Sequence, residues 1–167
     1  MSKYITFGEV MLRLKSPGHA KLFQSPQLEA TFGGGEANVA VSLGNYGLDA
    51  QFVSALPNND IADACIRQIR GFGVDTTKII RRDGRVGIYF LEGGANQRPS
   101  NVIYDRAESS IALMEVNEID WDEIFKDAKW FHISGITPAI SKKAKELSLQ
   151  AVKKAQEHNV TVSCDFN

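Results

Sequence analysis

Short apolar runs alternate with segments of helical periodicity along most of this 167-residue chain. Each run is bounded by glycine, proline or asparagine, which is typical of buried strands. The predicted strands are residues 3–7, 51–56, 77–81, 130–134 and 160–165. The predicted helices are residues 36–46, 60–72, 121–125 and 141–158. Strands that alternate with helices predict a parallel sheet that is covered by helices on both faces.

Two stretches, residues 10–33 and 85–106, interrupt this alternation. They carry short strands in which apolar and polar residues alternate, as in half-exposed strands. The glycine-rich segment 93–100 separates the last two strands as a turn would. We therefore predict a small antiparallel lid beside the main sheet. No linker divides the chain, so residues 1–167 are expected to form part of a single domain.

The composition excludes several classes of function. A formal net charge of −1 without runs of one sign argues against a nucleic-acid arm or a polybasic membrane patch. No apolar stretch reaches the length of a membrane-spanning helix, and the N-terminus lacks a signal peptide's apolar run. Cys65 and Cys164 have neither metal-ligand nor redox spacing, so we expect buried, reduced thiols and a cytoplasmic location.

Three consecutive glycines, Gly33, Gly34 and Gly35, open the first long helix. Glycine lets a ligand approach the backbone, and the free N–H groups at a helix start favour oxygen-rich groups. The segment lacks the lysine of a phosphate-binding P-loop and the spacing of a dinucleotide fingerprint. It therefore suits a polyol better than a triphosphate. A tight turn that only packs the helix closely is the alternative interpretation.

The segment GGGEANVAVSLGNYG resembles the N-terminal signature of the PfkB, or ribokinase-like, family of carbohydrate kinases. Five segments around it fit in that family's order: TFGEVMLRL, FVSALPNNDIADACIRQIRGFGVDT, the lid strands GIYFLE and VIYDRAESSIA, and FHISGIT. The resemblance extends over essentially the whole chain. Within the family, VIYDR, FHISGITPAIS and SCDFN are most similar to the 2-keto-3-deoxygluconate kinases.

The resemblance implies a ribokinase-like α/β three-layer sandwich with an incomplete, mostly parallel sheet and a small β-sheet lid. It implies transfer of the γ-phosphate of ATP, with Mg²⁺, to a hydroxyl of a small sugar or sugar acid, and a homodimer that pairs through the lid. Two residues, Asp165 and Asn167, would lie near the phosphates. The residues that would contact the sugar are Glu9, Gly33, Gly34, Asn38, Tyr89, Tyr104, Arg106 and Ile136.

The residue types support part of this assignment. Tyr104 and Arg106 lie two apart on one strand and therefore share a face. The guanidinium of Arg106 matches a carboxylate, which a sugar acid has and a neutral sugar lacks. Simpler interpretations remain open at this stage: a surface ion pair for Arg106, cross-strand packing for Tyr89 and Tyr104, an exposed strand end for Glu9, and a helix-start hydrogen bond for Asn38.

The family's GAGD motif, which carries the catalytic aspartate and the anion hole, does not occur in the sequence. We therefore expect no catalytic residue and no metal ligand among these residues, an absent C-terminal ATP-binding half, and no kinase activity from this chain alone. Three alternative functions stay open: a fructokinase or other PfkB sugar kinase, a non-catalytic sugar-binding or dimerisation module, and an unrelated α/β protein that binds ATP at residues 33–35.

Overall fold

The computed structural model describes residues 3–167, which form nine strands, six α-helices and one short 3₁₀ helix. The strands are β1 (Lys3–Phe7), β2 (Met11–Lys15), β3 (Glu29–Gly33), β4 (Ala50–Leu56), β5 (Ile79–Arg81), β6 (Ile88–Glu92), β7 (Asn101–Asp105), β8 (Ala128–Ser134) and β9 (Thr161–Asp165). The helices are α1 (Gly35–Asn45), α2 (Asp60–Gly71), α3 (Ser110–Leu113), α4 (Trp121–Phe125), α5 (Ile136–Ile140) and α6 (Lys142–Glu157).

A five-stranded sheet in the order β5-β4-β1-β8-β9 forms the centre of the fold, and all its strand pairs are parallel. One face of this sheet packs against α3, α4 and α6. Its core is aromatic: Phe7 and Phe131 contact Trp121 with ring centroids 5.2 and 5.9 Å apart, and Phe125 lies 5.2 Å from Phe131. These side chains are buried together, so this face is closed by apolar packing.

The opposite face packs against α1 and α2 through a second apolar core that includes Phe52 and Cys65. The three-layer α/β prediction is therefore confirmed. Helix α1 is only partly buried, and it contacts β1 and β4 more than β8. Trp130 remains 39% exposed and borders an open apolar cavity of about 320 Å³ over β8 and β9. The helices among residues 3–167 therefore cover that face of the sheet only in part.

The lid is a four-stranded sheet in the order β3-β2-β6-β7. The β2–β3 and β6–β7 pairs are antiparallel, whereas β2 and β6 are parallel. The sheet is therefore mixed, and the prediction of a purely antiparallel lid is wrong. The reason is the long excursion between β2 and β6 through α1, β4, α2 and β5, which brings the chain back in the same direction.

Local signals placed most element ends correctly. The side chains of Asn59 and Ser141 cap α2 and α6 by accepting from the amides of Ala62 and Ala144. Helix α3 was not predicted from the sequence, and neither was α5. Its Pro138 lies in the first helical turn, where no intrahelical N–H is needed.

The two cysteines differ in their surroundings. Cys65 is buried in α2, and burial raises the pKa of its thiol to about 12. Cys164 is exposed on the edge strand β9, so the prediction of a buried thiol is wrong there. Among residues 3–167, no helix has the length and apolarity required to cross a bilayer.

Candidate functional site

The carboxyl ends of β1, β8 and β9 meet at one edge of the parallel sheet, where ligands bind in open α/β folds. The amide of Gly135, directly after β8, donates to the carbonyl of Asp165 at the end of β9 over 2.7 Å. Glu9 follows β1 at the same edge. The topology thus brings together segments that lie more than 150 residues apart in the sequence.

Glu9 and Arg106 form an ion pair at this edge, in which Arg106 Nη2 donates to Glu9 Oε2. The Glu9 side chain is only 4% exposed, so the interpretation of Glu9 as an exposed strand end is wrong. Two further polar atoms of the pair, Glu9 Oε1 and Arg106 Nε, are buried without a protein partner. Gly87 leaves room for the pair, because a Cβ there would lie 2.9 Å from Glu9 Oε1. The pair therefore retains an unused acceptor and an unused donor.

Two tyrosines of the lid, Tyr89 and Tyr104, lie on the side of Arg106 that leads towards Gly33. The rings of Tyr89 and Tyr104 lie 6.0 Å apart on the register-paired strands β6 and β7. The guanidinium of Arg106 lies 5.5 Å from the centre of the Tyr104 ring. At the other end, a Cβ on Gly33 would lie 3.0 Å from the Tyr89 hydroxyl. Cross-strand packing of the tyrosines is thus observed, and it leaves their hydroxyl groups available.

Gly34 brings the start of α1 against the Glu9 segment. Its backbone is extended, and any Cβ at this position would overlap the carbonyl oxygen of Glu9. The requirement for glycine is therefore close approach rather than an unusual backbone conformation. The start of α1 consequently lies against the backbone of Glu9.

A cavity of about 520 Å³ adjoins Arg106, and its volume is suitable for a small sugar acid. Three of the predicted site residues line it: Arg106, Ile136 and Asn167. A larger groove of about 660 Å³ along α2 and β5 lies apart from every predicted site residue. None of the buried unpaired polar atoms among residues 3–167 faces that groove. We therefore place the candidate site at the Arg106 cavity.

The other seven predicted residues do not line this cavity. Asn38 is exposed on α1 and, with Gly33, lines a separate cavity of about 220 Å³ between the lid and α2. Asp165 directs its carboxylate to Asn167, from which it accepts hydrogen bonds at 3.1 and 3.2 Å. The proximity of Asp165 and Asn167 is thus a local contact within the same segment.

Within the part of the chain that the structure describes, no group of three or more His, Cys, Asp or Glu side chains is placed to hold a metal ion. The acidic residue at the site, Glu9, is already paired with Arg106. The residues present therefore do not form a site for the Mg²⁺ that the resemblance implies, and no step is assigned to it.

Sequence reasoning missed three residues that lie behind the site: Glu36, Ser134 and Thr137. All three are buried, and all three belong to one hydrogen-bonded group. A signal was present, because Glu36 is an acidic residue in the small, apolar helix start GGGEANVA. Its partners were not visible, since they lie about 100 residues further along the chain.

Comparisons with known proteins show what this chain is similar to. The model of the pfkB family of carbohydrate kinases matches residues 1–167. The chain is 35% identical to the 2-dehydro-3-deoxygalactonokinase of Haloferax volcanii over 166 residues, which are 99% of this chain and 52% of that protein. It is 25% identical to the 2-dehydro-3-deoxygluconokinase of Bacillus subtilis over 164 residues, 98% of this chain and 50% of that protein.

The crystal structure of the 2-dehydro-3-deoxygluconokinase from Thermotoga maritima has a TM-score of 0.98 and 51% sequence identity to this chain. The match covers 100% of this chain and 51% of the Thermotoga maritima chain. The chain thus spans about half the length of the relatives that it matches. Since the family model covers every residue, the chain belongs to the pfkB family of carbohydrate kinases.

Proposed function

We propose that these residues form the sugar-binding part of a kinase that phosphorylates a hydroxyl of a 2-keto-3-deoxy sugar acid, with ATP as the phosphate donor. We propose 2-keto-3-deoxygluconate as the substrate. The observation that carries this proposal is the pair of the buried Glu9 with the partly exposed Arg106, beside a cavity of about 520 Å³. The names of the relatives from Thermotoga maritima and Bacillus subtilis support the substrate class.

The chemistry of the pair suits a sugar acid. Arg106 uses one nitrogen for Glu9 and keeps Nε, a buried donor without a partner, for an incoming carboxylate. Glu9 Oε1 is a buried acceptor that a sugar hydroxyl can satisfy. The Tyr89 hydroxyl, next to Gly33, is suited to a further hydroxyl group of the sugar. A sugar acid supplies both kinds of partner in one molecule.

A neutral sugar, as in a fructokinase, matches only part of this site. It can satisfy Glu9 Oε1, but it offers no anion to Arg106 and leaves the Nε donor without a charged acceptor. A sugar-binding module without catalysis would use the same contacts, so affinity alone does not separate it from a kinase. Phosphorylation of the sugar by the complete protein distinguishes the two.

Phosphoryl transfer, in this proposal, requires groups outside the 167 residues. Support comes from the chain's spanning about half the length of its relatives. The chain alone is therefore predicted to bind the sugar acid without turnover, and turnover by the chain alone would contradict this. A cytoplasmic location and a homodimer through the lid remain predictions.

Calorimetric titration tests the substrate assignment. The complete protein and the 167-residue chain are titrated with 2-keto-3-deoxygluconate, 2-keto-3-deoxygalactonate and fructose. Arg106→Gln should weaken binding of both sugar acids by about 30-fold, because charge-assisted bonds contribute about 1.5–3 kcal/mol, and should barely change binding of fructose.

Arg81→Gln is the matched control, because Arg81 pairs with Asp63 at the far side of the sheet. It should leave all three affinities unchanged. Wild-type binding of fructose in preference to both sugar acids, or an Arg106→Gln variant that binds them normally, would overturn the proposal.

A further inference from the structure

Glu36 is a carboxylate buried inside the fold, with an exposed fraction of 1%. It lies in the first turn of α1, directly after the glycine turn that faces Glu9. None of the ion pairs among residues 3–167 includes it. A buried carboxylate without a cation is unfavourable unless several donors and a helix start satisfy it. Its surroundings therefore indicate what holds it there.

Three donors converge on one oxygen of Glu36. Its Oε1 accepts from the hydroxyl groups of Ser134 and Thr137, each at 2.7 Å, and from the Ser134 amide at 3.2 Å. The Ser134 hydroxyl in turn accepts from the amide of Ile136 at 3.2 Å. Ile136 lines the Arg106 cavity. A continuous chain of hydrogen bonds thus runs from α1 to the wall of the candidate site.

The other side of the carboxyl group rests against the end of β1. A Cβ on Gly8 would overlap the Glu36 carboxyl group, so glycine is required there to make room for it. Gly8 is itself fixed in the sheet, because its carbonyl accepts from the Ser54 hydroxyl at 2.7 Å. The carboxylate is therefore held between the β1 end and the segment that follows β8.

We propose that Glu36 is a positioning residue of the sugar site. With Ser134 and Thr137 it forms a clamp that fixes the start of α5 relative to the glycine turn of α1. The two segments belong to different elements, and the sugar would lie between them. The clamp sets their separation without touching the sugar. This inference rests on the proposed function, because it assigns Glu36 to the same site.

Thr137→Val tests the clamp with little change in shape. It removes one hydrogen-bond donor to Glu36. The KM for the sugar acid should rise about fivefold, because that is the equivalent of one net hydrogen bond. The kcat of the complete enzyme should change by less than about twofold. Thr137→Ser restores the hydroxyl and should restore KM. Glu36→Gln keeps the size of the side chain, but it places an amide donor in a pocket built for an acceptor, and should raise KM by about tenfold.

Ser148→Ala is the matched control. Ser148 is also buried, but its hydroxyl donates to the Ala144 carbonyl within α6, away from the site. It should leave both KM and kcat unchanged. Hydrogen exchange gives a readout independent of activity: the Ile136 amide should exchange about tenfold faster in Thr137→Val than in wild type.

The outcomes separate the two proposals. A wild-type protein that neither binds nor phosphorylates a sugar acid overturns the proposed function and the assigned role of Glu36 in it. Wild-type binding together with unchanged KM in Thr137→Val and Glu36→Gln overturns the inference alone. Equal increases of KM in Ser148→Ala and Thr137→Val also overturn it, since general loosening then explains the effect. Unchanged exchange at Ile136 in Thr137→Val overturns the clamp itself.

Discussion

The central sheet and the lid are built from strands of similar length that meet solvent very differently. Every residue of β4 is buried, whereas every residue of β7 is exposed. The reason is position: β4 lies between β1 and β5 beneath helices, while β7 is the edge strand of the lid. Burial of apolar surface is the main favourable term in folding, so the central sheet contributes most of the stability.

The difference indicates a division of roles. Lid side chains such as Tyr89, Tyr104 and Arg106 are left partly free, so they can contact a ligand at little expense to folding. The Glu9–Arg106 pair joins the two regions, because Glu9 follows β1 and Arg106 follows β7. Substitutions in the sheet should therefore change folding, substitutions in the lid should change binding, and substitutions of the pair should change both.

The largest expected effect contrasts two isoleucines on strands. Ile5 in β1 is fully buried, whereas Ile103 in β7 is 50% exposed. Ile5→Ala should lower the free energy of unfolding by about 2–5 kcal/mol, because it leaves a cavity in the core, and Ile103→Ala should lower it by less than about 1 kcal/mol. Urea denaturation of the two variants measures the difference. Equal losses would contradict the division of roles.

The second effect concerns the ion pair that joins the regions. Arg106→Met leaves the Glu9 carboxylate buried without its partner, and should lower the free energy of unfolding by about 1–3 kcal/mol. This loss is smaller than for a fully buried ion pair, because Arg106 is partly exposed. The double variant Glu9→Gln/Arg106→Met should recover more than half of that loss. Denaturation of the two single variants and the double variant measures the coupling; additive losses would show that the regions are not linked there.

Features set by local sequence were predictable. The glycine turn, the caps Asn59 and Ser141, and the alternation of strands with helices gave the three-layer fold, because each depends on residues within a few positions. The parallel pairing of β2 with β6 was not predictable in this way. It depends on how the chain returns after an excursion through α1, β4, α2 and β5.

The candidate site shows the same limit. Motif and resemblance placed Arg106 and Ile136 in segments that the fold brings to one cavity. They did not reveal that Glu9 is buried and paired with Arg106, or that Asn38 lines a different cavity. Partners 97 residues apart, such as Glu9 and Arg106, are set by tertiary packing, and sequence spacing carries no information about them.

The third prediction compares the two lid tyrosines within the proposed site. The hydroxyl of Tyr89 lies over Gly33, whereas Tyr104 is 59% exposed and packs beside Arg106. Tyr89→Phe should weaken sugar-acid binding by about fivefold through loss of one hydrogen bond, without a measurable change in unfolding. Calorimetric titration and urea denaturation of Tyr89→Phe and Tyr104→Phe test this. A loss of stability in Tyr89→Phe as large as its loss of binding would show that the hydroxyl supports the lid rather than the ligand.

The smallest expected effect is the stabilisation of the fold by one carboxylate from each region, Asp75 and Asp105. Its dependence on pH and on salt distinguishes the two carboxylates. Burial raises the pKa of Asp75 beside β4, but hydrogen bonds from Thr77 and Gln51 outweigh it, so the pKa lies below its usual value. In the lid, the hydrogen bond from Arg85 lowers the pKa of Asp105. Because both pKa values are lower in the folded state, both carboxylates stabilise the fold above the unfolded value of about 3.9. That contribution is lost as the pH falls through the lowered pKa.

Asp75→Asn should therefore lower the midpoint of thermal unfolding at pH 7 by about 1–3 °C, and Asp105→Asn should lower it less. Both differences from wild type should close on acidification. Added salt separates the two regions, because Asp105 pairs with an arginine at the surface, whereas the pKa of Asp75 is lowered mainly by neutral hydrogen-bond donors and least by the charge of Lys3. At high salt the effect of Asp105→Asn should shrink and that of Asp75→Asn should persist. The same salt response in both variants would mean that an exposed charge pair, rather than buried hydrogen bonding, holds Asp75 as well.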